Sequence, residues 1–130
     1  MPPLENHPYD ELTIGQARTI ARDITRRDAG LLAVAAGGAD GAGWAGLALA
    51  MASAARFPGP GTVPLGTELN FAAPVAVGDT IATCLTVREK RPLYVVVLDC
   101  VAVNQKDELV VSGTFTVRAP LEKRRLAGRA

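Results

Sequence analysis

Histidine occurs once in the 130 residues, at His7, and cysteine twice, at Cys84 and Cys100. Metal sites need several such ligands at close spacing, so no metal is expected. One histidine in an N-terminal stretch also leaves no Ser/His/Asp set to form. The cysteines fall in separate strand-like runs and no charged-then-apolar leader opens the sequence, which makes a reduced, cytoplasmic protein the expectation. Aromatic residues amount to 5 %, with Trp44 the only tryptophan. Charge of either sign is nearly balanced, 14 Lys and Arg against 13 Asp and Glu, for a net +1. Phosphate neutralisation needs a large cationic excess, so nucleic acid is excluded as the main partner. The longest apolar run, Ala42 to Ala55, is interrupted only by Ser53 and is too short to span a bilayer. No glycine pattern matches a dinucleotide or phosphate loop in a strand-to-helix context, and no cofactor is expected.

What remains is a chain that is 48 % apolar and long enough for one compact domain. Residues 1 to 8 hold three prolines and no apolar period, and read as a flexible arm ahead of a single domain over 9 to 120. Residues 121 to 130 form a basic tail with Lys123, Arg124, Arg125 and Arg129 against Glu122. Within the domain, Ala17 to Ile24 reads as a short strand. Thr25 and Asp28 have the spacing of a capping box, which opens a short helix ending at Gly37-Gly38. The segment Asp40 to Arg56 is apolar on all sides and predicts a buried helix. Gly41, Gly43 and Gly46 weaken that helix, so something must approach it closely. Phe57-Pro58-Gly59-Pro60-Gly61 ends it.

Four strand-like runs follow, Leu65 to Ala73, Thr80 to Glu89, Leu93 to Asn104 and Leu109 to Ala119, separated by turn clusters. The third alternates Val96, Leu98, Cys100 and Ala102 against Val95, Val97, Asp99, Val101 and Val103, so both of its faces are largely apolar. Asp99 breaks the pattern and is expected to be paired or exposed at an edge. An antiparallel sheet wrapped around one long apolar helix satisfies these burial demands.

Tyr9-Asp10-Glu11-Leu12-Thr13-Ile14-Gly15-Gln16 with Ile24-Thr25-Arg26-Arg27-Asp28 resembles the opening of the MaoC-like (R)-specific enoyl-CoA hydratases and dehydratases. Pro58-Gly59-Pro60-Gly61-Thr62, Leu69-Asn70-Phe71-Ala72-Ala73-Pro74-Val75 and Val77-Gly78-Asp79-Thr80 are similar to the strand and turn after that family's central helix. The resemblance implies an α+β hotdog fold, with a five-stranded antiparallel sheet around the helix Gly41 to Arg56. It also implies edge-to-edge dimers, homodimeric or with a related hotdog subunit, and a tunnel for an acyl-CoA or acyl-carrier-protein thioester. The family's hydration motif, Gly-Asp-x-Asn-Pro-x-His, is not matched. Gly38 falls where its Asp would be and Gly43 where its His would be, and His7 is in the wrong part of the chain to replace the imidazole. The resemblance therefore implies a member that is degenerate for ordinary hydration.

The candidate site residues each carry two readings. Asp40 is an N-cap for the helix or a lone general acid or base, and Gly41 is a simple helix start or an amide donor to a thioester carbonyl. Trp44 packs, or lines an acyl pocket beside Gly43 and Gly46. Arg56, with Arg88, Lys90 and Arg91, meets phosphates of the carrier or lies in solvent. Either Asn70 or Glu68 points into the tunnel. A hotdog thioesterase would share the fold but normally carries a carboxylate on the central helix, and this one has none after Asp40. A non-catalytic, architectural dimer is the remaining alternative.

Overall fold

A computed structural model of the chain describes residues 4–28, 53, 56–123 and 125–126. A two-residue strand, β1 (Leu4–Glu5), and a 3-10 turn at Tyr9–Glu11 precede β2 (Ala17–Asp23). The capping box forms as the spacing requires. Asp28 N–H donates to Thr25 Oγ1 at 3.1 Å, and Thr25 N–H donates back to the Asp28 carboxylate at 3.0 Å. The helix expected beyond Asp28 lies outside the described residues, as does most of the one expected over Gly41 to Arg56. Of the latter, Ser53 and Arg56 have helical backbone, and Phe57 N–H donates to Ser53 O at 3.1 Å, closing its last turn.

The strands that follow are β3 (Val63–Phe71), β4 (Thr80–Arg91), β5 (Val95–Val103) and β6 (Leu109–Arg118), with a short β7 (Arg125–Leu126) at the end. They make one five-stranded antiparallel sheet in the order β2-β4-β5-β6-β3, and β1 pairs separately with β7. The first two strands of this sheet in chain order, β2 and β3, therefore take its two edges. The fold is the hotdog fold.

One face of this sheet is buried along its length. Ile81, Leu85 and Val87 on β4, Val96, Leu98, Cys100 and Ala102 on β5, and Phe115 and Val117 on β6 are all exposed by 3 % or less. Phe57, at the end of the helix, joins the cluster that holds Leu85, Leu98, Cys100 and Phe115, which puts the helix terminus against this inner face. A second cluster gathers Ile24, Val75, Ile81, Ala102, Val110 and Val111, and Leu69 of β3 packs on both. Thr83 lies between them, fully buried.

Period-2 alternation is interrupted where bulges insert a residue. The bulge between Val87 and Glu89 sets Arg88 beside Asp99 and returns Lys90 to the inner side opposite Val96. Lys90 then donates to Leu12 O at 2.9 Å with its ammonium 4.2 Å from the centroid of the Tyr9 ring. That anchoring extends β4 to Arg91, past the turn expected at Lys90.

Residues 4–8, expected as an arm, are held by the C-terminal segment. Asn6 is buried, and its side-chain amide donates to Pro60 O at 2.9 Å and to Glu122 O at 2.7 Å. Lys123 Nζ returns a bond to Asn6 O at 2.8 Å. The proline-rich composition hid this, because the contacts are made by backbone carbonyls far away in sequence.

The β3–β6 seam tolerates only glycine at one point. A Cβ on Gly113 would stand 1.9 Å from Glu68 O, whereas one on Gly66 would meet nothing within 4 Å. Gly113→Ala should cost about 3 kcal/mol in urea denaturation, as a small-to-large change against rigid backbone. Gly66→Ala, the matched control on the same strand pair, should change stability by less than about 1 kcal/mol.

Candidate functional site

Of the residues singled out in sequence, Asp40, Gly41, Gly43, Trp44 and Gly46 lie outside the described residues. Arg56 is exposed, one residue before the buried Phe57. Asn70 stands opposite Ser112 and Glu68 opposite Thr114, on the outer face of β3, while Leu69 between them turns inward. Both polar side chains are exposed. The question of which one points inward is thus answered by register: neither shares the buried face.

The cationic candidates near the β4–β5 turn are each engaged. Arg88 pairs with Asp99 at 3.5 Å, so of the two expectations for Asp99, a pair or exposure at an edge, the structure shows the pair on an interior strand. Arg91 Nε donates to Glu89 at 2.8 Å, and Lys90 is committed to Leu12 O. Together with Glu68, Thr114 and Thr116, the residues Arg88, Glu89 and Arg91 line an outer-face groove of about 500 Å³. Its arginines are matched by its glutamates, so the groove offers no net positive field to a phosphate.

Ionisation follows the hydrogen bonds. The Thr25 backbone N–H, then the Thr25 hydroxyl, hold the Asp28 carboxyl below its ordinary value. The Ala76 N–H and then Gln105 do the same for Asp79, and Arg91 does so for Glu89. These groups are at the surface, and they stabilise the fold above the ordinary carboxylate range and lose that effect as pH falls through their lowered values. Cys100 behaves oppositely, because burial, and secondarily Cys84, push its thiol up to about 11. Among the described residues no cluster of His, Cys, Asp or Glu could hold a metal ion.

No family model matches the chain. Over 65 residues, 50 % of its length, it is 34 % identical to an (R)-specific enoyl-CoA hydratase of Rhodospirillum rubrum, and that match spans only 45 % of the curated protein. Its fold is similar over 98 % of the chain to the R-hydratase PhaJ1 from Pseudomonas aeruginosa in the unliganded form, with 95 % of that protein covered, TM-score 0.90 and 31 % identity. The chain belongs to the (R)-specific enoyl-CoA hydratase family. A second hydratase of this fold, the (R)-hydratase from A. caviae involved in PHA biosynthesis, superposes over 84 % of this chain and 98 % of its own, at TM-score 0.74 and 21 % identity. That likeness shows the fold alone.

Within this family member, sequence reading missed Thr83 and Asn6. Thr83 is an ordinary strand residue by composition, and only the register shows that it shares a face with Ile81 and Leu85. The two cysteines lie on neighbouring strands, with Cys84 opposite Val101 and Cys100 opposite Leu85, and therefore point to opposite faces. Both thiols are free.

Thiol reactivity should separate them. Iodoacetamide at mildly alkaline pH should label Cys84 in the folded protein and Cys100 only after denaturation, read by mass spectrometry. Stability should also fall as pH rises from about 8.5, where an unfolded thiol ionises, toward the raised native value. The unfolded state binds fewer protons in that window, so alkali favours it. Cys100→Ala should lower stability at neutral pH yet flatten this decline.

Proposed function

We propose that this chain binds an acyl thioester, carried by CoA or acyl-carrier protein, beside its inner-face helix, and that it is degenerate for ordinary enoyl hydration. It acts as a substrate-holding subunit or as a specialised enzyme in the cytoplasm. The observation that carries the reading is the replacement of the hydration motif: Gly38 and Gly43 stand where the family resemblance places Asp and His. A glycine supplies neither a general base nor an acid. His7, the only imidazole, packs edge-on against Phe57 at 5.6 Å, and its backbone N–H donates to Pro58 O at 2.7 Å. Asp40 and Gly41 are the residues best suited to whatever chemistry remains, as a carboxylate and a backbone donor. Gly43, Trp44, Gly46 and Arg56 remain the proposed substrate contacts, while Asn70, on the outer face of β3, faces away from a ligand held on the inner face.

Association is part of this reading. Among the described residues no strand pairs with the far side of the edge strand β3, which exposes Val63 by 42 %, Leu65 by 48 % and Phe71 by 56 %. Pairing with a second copy, or with a related hotdog subunit that holds a complete motif, covers such an edge. No helix among the described residues is long and apolar enough to cross a membrane.

Hydration of crotonyl-CoA and longer trans-2-enoyl-CoAs tests the proposal. Loss of an acid–base pair should leave turnover at least about 100-fold to 10,000-fold below that of a motif-bearing relative. Turnover at ordinary enzyme rates would overturn it and make Asp40→Asn the next variant to assay. Acyl-CoA titration should still change the emission of Trp44.

A further inference from the structure

On the outer face and at the chain ends, cations meet acids. Arg88 has Asp99, Arg91 has Glu89, and Lys123 has Glu5 and Glu11. The β2 edge differs. Residues 17 to 28 hold Arg18, Arg22, Arg26 and Arg27 against Asp23 and Asp28 alone. All four arginines are exposed, and only Arg22 is in an ion pair, with Asp28. Asp23 instead accepts the Thr80 hydroxyl at 2.6 Å. Arg18, Arg26 and Arg27 have no ion-pair partner among the described residues. Little else can neutralise them, because of the 13 acidic side chains in the sequence only Asp40 lies outside those residues.

The four arginines share one rim. Arg18 stands opposite Leu85 and Arg22 opposite Ile81, so both project to the inner side of the sheet and flank the buried Ile20. The Arg22–Asp28 pair draws the turn that carries Arg26 and Arg27 against the same rim. Folding does not account for this charge. Arg26 and Arg27 follow the Thr25 cap, where the backbone N–H groups of a helix start disfavour a cation. Between the arginines Ala17, Thr19 and Ala21 are small and exposed, and no described strand pairs with the far side of β2. Arg18 and Arg22 are about 13 Å apart along the strand, too far to close on one phosphate. Neither the outer-face groove nor the one beside Pro120 includes them. An open cationic strip of that length fits a row of carboxylates on a protein surface. We propose that the β2 rim docks an acidic carrier protein, so that the thioester reaches the inner face on a protein rather than on CoA. The inference rests on the acyl-thioester reading above, and it adds the carrier and the residues that recognise it.

Fluorescence anisotropy of a labelled apo acyl-carrier protein, which bears no pantetheine arm and no acyl group, titrated with the full chain, tests it. Binding should be seen at about 0.05 M salt and weaken about 5- to 10-fold at about 0.5 M. Arg18→Ala, Arg26→Ala and Arg27→Ala should each weaken it about 2- to 5-fold, and replacing all three by glutamate should abolish it. Arg118→Ala, at an exposed arginine on the outer face, should leave it unchanged. If the joint variant fails to fold, the three single variants carry the test. The proposal is overturned by no binding at low salt, by undiminished binding in the single variants, or by an equal loss in Arg118→Ala. Salt-sensitive binding of anionic lipid vesicles through these arginines, with the carrier protein unbound, also overturns it. Acyl-CoA titration reads the inner-face site without a protein carrier. Its failure while the carrier still docks removes the acyl-thioester reading, whereas failure of the carrier while acyl-CoA binds removes this proposal alone.

Discussion

The approach of β3 to β6 at Gly113 sets the geometry of everything on that side of the sheet. Backbone meets backbone there with no room for a side chain, since a Cβ would press on Glu68 O at 1.9 Å. Because Gly113 stands opposite Leu69, the same close pairing turns Leu69 inward, where it touches both apolar clusters and ties them together. It also turns Glu68 and Asn70 outward by the pleat. One steric constraint thus decides which β3 side chains face the core and which face solvent, and no described strand pairs with the far side of β3.

Elements whose information is local were legible in the sequence. The capping box at Thr25 and Asp28 is a contact between residues three apart, and it forms as the spacing implies. The strand runs and their turns carry their signals in adjacent residues, and only their ends moved. Where the outcome depends on pairing between distant segments, the sequence was silent. The bulge at Arg88 is one case, since which side Lys90 occupies depends on a one-residue slip against β5. Asn6 is another, because its partners are the carbonyls of Pro60 and Glu122, and carbonyls leave no trace in residue type. Of the candidate site, Arg56 and Asn70 are placed and both are exposed, while the glycine-rich start of the helix lies outside the described residues.

The charges on the outer face are arranged to cancel. Arg88 has Asp99, Arg91 has Glu89, and both pairs are about half exposed, so each contributes little to stability. Their effect is on recognition. A face whose cations are already partnered does not draw a polyanion by its field, and the near-neutral charge of the whole chain repeats this at long range.

The clasp between the chain's two ends has a consequence for how the molecule comes apart. Asn6 and Lys123 are separated by 117 positions in sequence, yet the pairing of β1 with β7 involves only two residues on each strand. Closing so long a loop carries an entropy penalty that the few bonds of the clasp meet only once the rest of the chain has been brought into place. It is therefore expected to form last and to fray first, as a sub-global opening that leaves the sheet intact. Such an opening frees Gly59, whose backbone packs against Asn6, and with it the turn that leads from the helix into β3. The edge strand and the two chain ends are thereby mechanically linked: a pull on either terminus is felt first at the start of β3.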